Sequence, residues 1–138
     1  MKTRPIRFVH RGQVVSVDHL PATRSLLDWL REDARCTGTK EGCAEGDCGS
    51  CTVVLAEPAT DGPGRAWRPV NACIRLLPSV AGKAVFTVES LRAPTGALHP
   101  VQQALVECHG SQCGFCTPGF AMSLFGLYKN AYAPTREA

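Results

Sequence analysis

The sequence lacks the features that mark several large classes of protein. In its 138 residues no apolar run approaches the roughly 20 residues that a transmembrane helix needs. The N-terminus, MKTRPIRFVHRG, is basic but has no apolar segment of the kind found in secretory signals. The net charge is only +3, with acidic and basic residues interspersed, so the sequence indicates neither a nucleic-acid partner nor a membrane surface.

Catalytic signatures are equally scarce. The sequence has no phosphate-binding glycine loop and no evident pairing of a nucleophile with a general base. Its four histidines are scattered, and none stands at metal-ligand spacing from a carboxylate. We therefore expect solvent-exposed or helix-capping roles for His10, His19, His99 and His109.

Cysteine, in contrast, is plentiful, with eight in the chain. Without an export signal, so many cysteines predict a reducing compartment, the cytoplasm, and metal ligation more than disulfides. Cys43, Cys48 and Cys51 have C-x4-C-x2-C spacing, and Cys73 follows after 21 intervening residues. This is the spacing of plant-type [2Fe–2S] ferredoxins, so these four thiols are the candidate ligands of one cluster. We call residues 43–51 the first cysteine loop.

Glycines are threaded through this loop for a physical reason. Gly42, Gly46 and Gly49 allow positive φ angles, which would bring backbone N–H groups close to the cluster sulfurs. Those amides would offset the negative charge of four thiolates and two sulfides. Three carboxylates lie in this loop or just before it: Glu41, Glu45 and Asp47. We expect them to lower the reduction potential of a cluster or to face solvent, and not to act as catalysts.

The hydrophobic pattern predicts an α+β fold, beginning with a β-grasp domain over residues 1–92. Ser25 and Asp28 resemble a capping box that opens a helix, and leucines follow at helical spacing. Turn residues separate the remaining apolar runs into strands. The expected elements are a hairpin at 6–8 and 14–17, the helix at 25–35, a strand at 52–55, a surface loop at 57–68, a strand at 69–77 that carries Cys73, and a last strand at 85–91.

From about residue 93 the pattern becomes helical, and we predict a second domain over residues 93–138. His99-Pro100 opens one helix, with Gly110 as its C′ stop. Thr117 as the N-cap and Pro118 as the first helical residue would start another helix that runs to about residue 130. Because FAMSLFGLY is apolar on nearly every side, that helix is expected to be the buried centre of a small bundle.

Cys113 and Cys116 would then lie at the N-terminus of that second helix, and we call residues 113–116 the second cysteine turn. Free N–H groups and the helix dipole favour an anionic cluster at such a position. Cys108 repeats the C-x4-C-x2-C spacing with this pair. It also completes a helical stripe of apolar residues, so we expect it to pack in the core and not to bind metal.

Four segments together carry a family resemblance. They resemble the iron–sulfur portion of a molybdenum hydroxylase, and most closely that of a bacterial xanthine dehydrogenase. The preference for xanthine dehydrogenase over the aldehyde- or carbon-monoxide-oxidising enzymes rests on EGDCGSC. The segments are TGTKEGCAEGDCGSCTV at 37–53, NACIRLLP at 71–78, LHPVQQAL at 98–105 and GSQCGFCTPGF at 110–120.

The resemblance implies a plant-ferredoxin-like domain with one [2Fe–2S] cluster and a helical-bundle domain with a second. It implies that Cys113 and Cys116 supply half the ligands of the second cluster, the others coming from a later C-x-C motif. None follows before Ala138, so the helical domain is expected to be incomplete, with only one cluster closed. Gln112 matches a family position that contacts the pterin, and Cys36 is expected to have no role.

The implied function is electron relay in purine oxidation. Electrons would pass from a molybdopterin-binding large subunit through both clusters to an FAD domain and NAD⁺, in a heteromeric assembly. The chain alone would be inactive on substrate. Three alternatives stay open: a free-standing ferredoxin, which leaves GSQCGFCTPG without a purpose, a zinc module with four cysteines, and a disulfide-bonded secreted domain.

Overall fold

A single mixed sheet organises the computed structural model, which describes residues 4–130. Its strands are β1 (Ile6–His10), β2 (Gln13–Val17), β3 (Thr52–Pro58), β4 (Arg65–Asn71) and β5 (Ala84–Phe86). They lie in the order β2-β1-β5-β3-β4. Strands β1 and β5 are parallel, and all other neighbours are antiparallel.

The predicted N-terminal hairpin is confirmed. His10 of β1 pairs with Gln13 of β2, which leaves Arg11 and Gly12 as a two-residue turn. Their φ angles are 51° and 75°. Two positive φ angles in succession match the twist of the strands, and this explains why glycine occupies the second position.

The predicted first helix is confirmed in place, but it is shorter and less regular than expected. The Ser25 hydroxyl accepts a hydrogen bond from the Asp28 N–H at 3.0 Å, as an N-cap does. Helix α1 (Leu26–Asp28) continues as a π-helical turn over Trp29–Asp33. The helix ends before residue 35, because Arg35 has a φ angle of 56°. Its leucines are fully buried against one face of the sheet, in a core shared with Phe8, Val53, Leu55 and Val85.

Three predicted element boundaries are wrong. The expected loop at 57–68 shrinks to 59–64, because β3 and β4 extend into it. Pro69 is accommodated since β4 is an edge strand. The expected strand at 69–77 ends at Asn71, and Cys73 lies in the turn that follows.

The expected last strand at 85–91 is also shorter. Strand β5 ends at Phe86, and Val88–Ser90 forms a 3-10 turn instead. Thr87 donates its backbone N–H to the Ser90 hydroxyl at 3.2 Å, so the side chains of this segment favour a capped turn over further strand pairing.

Helix α2 (Pro100–Glu107) begins as predicted, with the His99 ring accepting from the Val101 N–H at 3.2 Å. Its end differs from the prediction, because His109 and not Gly110 takes the left-handed conformation, with a φ angle of 51°. Gly110 follows and donates its N–H to the Leu105 carbonyl at 2.8 Å, as the residue after C′ does in a Schellman motif.

Helix α3 (Thr117–Asn130) starts one residue earlier than predicted. The expected burial on nearly every side is wrong within residues 4–130. One face packs on β3 and β4, while Phe120 and Tyr128 on the other are 63% and 47% exposed. The buried face forms a second core with α2 and the sheet, which comprises Val54, Leu91, Val101, Ala121, Met122 and Phe125.

No helix within the described residues is long and apolar enough to cross a membrane.

Candidate metal centre

The approach to the first cysteine loop is held by two long side chains. The Arg31 guanidinium donates to the carbonyl oxygens of Thr37 and Thr39 at 3.0 and 2.9 Å. On the other side, a Glu89 carboxylate oxygen accepts from the Gly38 N–H at 2.7 Å. The segment that leads into the loop is therefore fixed to both the first helix and the turn after β5.

Backbone amides surround the first thiol of the loop. The N–H groups of Glu45, Asp47 and Cys48 point at the Cys43 sulfur, with N···S distances of 3.4, 3.3 and 3.3 Å. These amide hydrogen bonds lower the pKa of Cys43 to about 6. These hydrogen bonds therefore stabilise a thiolate at this position without any help from a bound metal.

Left-handed backbone angles make this amide arrangement possible. Ala44, Gly46 and Gly49 have φ angles of 56°, 82° and 74°. A Cβ atom on Gly46 would also lie 2.7 Å from Cδ1 of Ile74, so a side chain there would require that exposed methyl group to move and would hold a strained backbone angle. The Asn71 amide donates to the Gly46 carbonyl at 2.6 Å and ties the loop to the end of β4.

The four candidate ligands influence one another's ionisation. Cys48 acts on the pKa of Cys43, and Cys51 and Cys43 both act on the pKa of Cys73. Burial, together with the neighbouring Cys51 thiol, raises the pKa of Cys73 to about 11. Adjacent thiols resist ionising together, and a cationic metal centre would offset that resistance.

The donor set fits a two-iron cluster. A [2Fe–2S] cluster takes four thiolates, which is the number that the first cysteine loop and Cys73 supply together. Within residues 4–130, no three His, Cys, Asp or Glu side chains converge as the ligands of a single metal ion would. A shell of amides around one sulfur suits an anionic iron–sulfur centre, because such hydrogen bonds stabilise the negative charge on its sulfurs.

The second cysteine turn is built differently. Cys113 and Cys116 are exposed, as is Gln112 beside them. The turn is closed by the hydroxyls of Ser111 and Thr117, which are 2.7 Å apart. Helix α3 starts directly after Cys116, so both thiols lie near its N-terminus as predicted.

The expected core role of Cys108 is wrong, because its side chain is exposed in the described structure. It is the C-cap residue of α2, and its N–H donates to the Ala104 carbonyl at 2.9 Å. His10 also departs from its expected solvent or capping role. It is only 6% exposed, and its Nε2 lies 3.5 Å from the sulfur of Cys36. Burial lowers the pKa of His10 and raises the pKa of Cys36, so both groups favour their neutral forms.

Two family models match the chain in succession. A model described as a 2Fe-2S iron-sulfur cluster binding domain matches residues 9–76. A second, described as a [2Fe-2S] binding domain, matches residues 87–138. The first match contains all four candidate ligands of the first site, and the second match contains the second cysteine turn.

Solved structures that match nearly the whole of this chain support the same assignment. Quinoline 2-oxidoreductase from Pseudomonas putida 86 has a chain that superposes with a TM-score of 0.76 and 32% identity, over 96% of this chain and 75% of that one. The chain belongs to the molybdenum hydroxylases, as their iron–sulfur part. The aldehyde oxidoreductase of Desulfovibrio desulfuricans superposes with a TM-score of 0.80 at 36% identity, over 98% of this iron–sulfur chain and 14% of its own.

Curated relatives of the iron–sulfur chain carry two different names. Aldehyde oxidase 1 of Rattus norvegicus is 41% identical over 130 residues, which is 94% of this chain. Xanthine dehydrogenase of Drosophila pseudoobscura pseudoobscura is 42% identical over 134 residues, or 97% of it. The chain spans only 10% of the length of either relative.

Sequence reasoning missed three residues that shape the first site. Asn71 holds the loop through its amide, and the Ser50 hydroxyl lies 3.1 Å from the Cys48 sulfur. Phe115, from the distant second cysteine turn, lies against Gly42. Polar residues within two positions of a cysteine were a usable signal for the first two. The third contact depends on how α3 packs on the sheet, which no local pattern encodes.

Proposed function

We propose that the first cysteine loop and Cys73 hold one [2Fe–2S] cluster, and that the chain serves as an electron relay. The observation that carries this proposal is the convergence of three backbone amides on the Cys43 sulfur, within a set of four thiols that influence one another's ionisation. Amide hydrogen bonds and burial are the means by which a protein tunes such a centre, and both are present here.

We assign a second [2Fe–2S] cluster to the second cysteine turn. Cys113 and Cys116 would be two of its four ligands, so a complete cluster needs two further thiolates. The N-terminus of α3 supports an anionic group beside this turn, since free amides and the helix dipole both favour negative charge. In this proposal the ferredoxin-like domain comprises residues 1–92, and the helical domain comprises residues 93–138.

When bound, the two clusters would carry electrons one at a time from a molybdopterin centre toward FAD and NAD⁺. The chain itself would supply thiolates, amides and a fixed separation between the two sites. The Cys36 thiol and the His10 imidazole lie 3.5 Å apart, but both are buried and favour their neutral forms, so they do not form an activated nucleophile and base. We therefore propose that bond-making chemistry belongs to partner domains or subunits.

A molybdopterin-binding large subunit and an FAD-binding domain are the partners that this role requires, in a heteromeric assembly. Gln112 is exposed next to Cys113, and we assign it to the surface that faces the pterin. All eight cysteines are free thiols. Such cysteines fit a reducing compartment, and we propose the cytoplasm.

Xanthine dehydrogenase is the activity that we propose for the complete enzyme. The EGDCGSC version of the loop supports it, as does the similarity to a xanthine dehydrogenase of Drosophila. Aldehyde oxidation is the second candidate. It is favoured by the comparable identity to aldehyde oxidase 1 of Rattus norvegicus and by the structural likeness to a bacterial aldehyde oxidoreductase.

Anaerobic stopped-flow spectroscopy of the complete enzyme would test these proposals. We expect xanthine to bleach the iron–sulfur absorbance within a turnover, and an aromatic aldehyde to bleach it more slowly. The reverse order would favour the aldehyde-oxidising candidate. The isolated polypeptide should show no turnover of either substrate, and activity from it alone would refute the relay role.

A further inference from the structure

Helix α3 touches the first cysteine loop through bare backbone. Gly119 lies three residues after Cys116, and a Cβ atom on it would overlap the carbonyl oxygen of Gly49. That Cβ would also lie 3.0 Å from the Gly49 carbonyl carbon and 3.1 Å from Cα of Ser50. Only a glycine permits this approach. The contact joins the first turn of α3 to the stretch between Cys48 and Cys51.

A second contact joins the same two regions through a side chain. Phe115 lies between Cys113 and Cys116, and its ring edge is 3.6 Å from the position of a Cβ on Gly42. Gly42 directly precedes Cys43. The Phe115 ring is 48% exposed, so burial in its own domain does not fix its position. The Phe115 ring therefore lies close to the residue that precedes Cys43, and this proximity is a second link between the two sites.

We propose that Gly119 and Phe115 are positioning residues that set the separation of the two cysteine sites. This inference rests on the proposed function, because the quantity that it governs is the spacing of the two clusters assigned there. Both residues lie beside cysteines of the second site and approach backbone that carries cysteines of the first, so they help to fix the separation of the two sites. Electron exchange and magnetic interaction between the clusters then depend on this junction.

Gly119 has a positioning role because the atoms that a Cβ there would meet belong to the backbone of the first cysteine loop. Alanine is intrinsically a better helix former than glycine, so propensity alone would favour alanine there. A Cβ would instead meet backbone atoms of the loop, which cannot rotate away as a side chain can. The start of α3 would have to move off the loop. Because Cys116 belongs to that start, the second site would move with it.

Gly126 on the same helix provides a matched control. It lies seven residues further along, about two turns from Gly119, on the same buried face. A Cβ there would meet the ring of Pro69 at 2.5 Å, and its nearest neighbours are atoms of Pro69 and Val54, which belong to neither cysteine motif. Gly126→Ala should therefore disturb the packing of α3 without changing the spacing of the two cysteine sites.

The test is electron paramagnetic resonance of the complete native protein, reduced with dithionite so that both clusters are paramagnetic. Dipolar interaction between two such centres falls with the cube of their separation. We expect Gly119→Ala to weaken the spin–spin splitting while both individual signals remain, and Gly126→Ala to leave the splitting unchanged. An unchanged splitting in Gly119→Ala, with both clusters present, would overturn the proposal.

Phe115→Ala keeps the proposal testable if Gly119→Ala does not fold. It removes an exposed ring, introduces no clash, and should also weaken the splitting. If Phe115→Ala is the only folded variant and its splitting equals that of the native protein, the inference is wrong. Iron content separates this outcome from failure of the proposed function. A native protein without iron refutes the cluster assignment itself, whereas intact clusters with unaltered splitting refute only the junction.

Discussion

The two cysteine sites of this chain differ in how much of their environment the chain itself provides. At the first site, three backbone amides converge on Cys43, Cys51 is buried, and Cys73 comes from a separate turn to complete a set of four thiols. At the second site, Cys113 and Cys116 are exposed at the start of α3. Within residues 4–130 their sulfurs accept no comparable set of amide hydrogen bonds.

The difference shows what each site requires from elsewhere. The first site is organised by its own loop, since left-handed backbone angles and the Asn71 tie determine where the amides point. The second has a helix N-terminus and two thiols but not four. Metal binding should therefore depend on residues 43–51 at the first site and on further ligands at the second.

The largest expected effect comes from removing one ligand of the first site. Cys48→Ala takes one thiolate from an exposed position, so the fold should be kept while a four-thiolate cluster cannot close. In the complete protein we expect half of the iron and one of two electron paramagnetic resonance signals to be lost. Cys108→Ser is the control, because that thiol is also exposed but lies outside both sites. Loss of a signal in the control would mean that Cys108 is a ligand.

A second effect concerns the reactivity of Cys43 in the metal-free protein. Its pKa is lowered to about 6 by amide hydrogen bonds that exist only in the folded loop. Ionisation therefore favours the folded state above the ordinary thiol pKa of about 8.5, and this contribution is lost as the pH falls through about 6. Iodoacetamide labelling mapped by mass spectrometry should show a Cys43 rate that rises near pH 6 and then levels off.

The same labelling experiment contains its own reference. In urea the amides no longer point at the sulfur, so the midpoint for Cys43 should return to the ordinary thiol value of about 8.5. A folded protein in which Cys43 also titrates at that ordinary value would contradict the preorganised loop. That result would also mean that the first site is no more preorganised for a thiolate than the second site.

A smaller effect is expected from the tie between the loop and β4. Asn71→Ala removes the 2.6 Å hydrogen bond to the Gly46 carbonyl and should lower the free energy of unfolding by about 1 kcal/mol. Asn130→Ala removes a similar bond, 2.7 Å to the Trp67 carbonyl, at an exposed position. Only Asn71→Ala should change the first cluster's resonance signal and potential. Equal changes in both variants would show that the tie has no specific effect on the site.

The smallest effect is expected at Cys36. This thiol is 4% exposed and packs beside His10 in the first core, so Cys36→Ala should cost about 1 kcal/mol of stability through the lost contacts. Iron content and the two electron paramagnetic resonance signals should be unchanged, because Cys36 is a candidate ligand of neither cluster. A variant that loses iron while remaining folded would assign Cys36 to the metal site.

Local chemistry made much of this fold predictable. The hairpin turn at Arg11-Gly12, the Ser25 cap and the His99-Pro100 helix start each depend on residues within a few positions of one another. The family resemblance is confirmed as well, since the iron–sulfur domains of molybdenum hydroxylases match across the chain. The assignment of individual ligands remains a prediction.

What could not be predicted depends on tertiary packing. The exposed face of α3, the burial of His10 beside Cys36 and the exposure of Cys108 all follow from which surface each element presents to the sheet. An apolar stripe such as the one that ends at Cys108 shows a preference for burial but not the direction in which a helix turns at its end. The strand boundaries failed for a similar reason, because an edge strand tolerates Pro69.

Iron and sulfide analysis after anaerobic reconstitution tests the central claim most directly. The account predicts a coloured protein in which residues 43–51 and Cys73 bind two irons and two sulfides, with a resonance signal after reduction by dithionite. Native protein that stays colourless and iron-free under those conditions would contradict it.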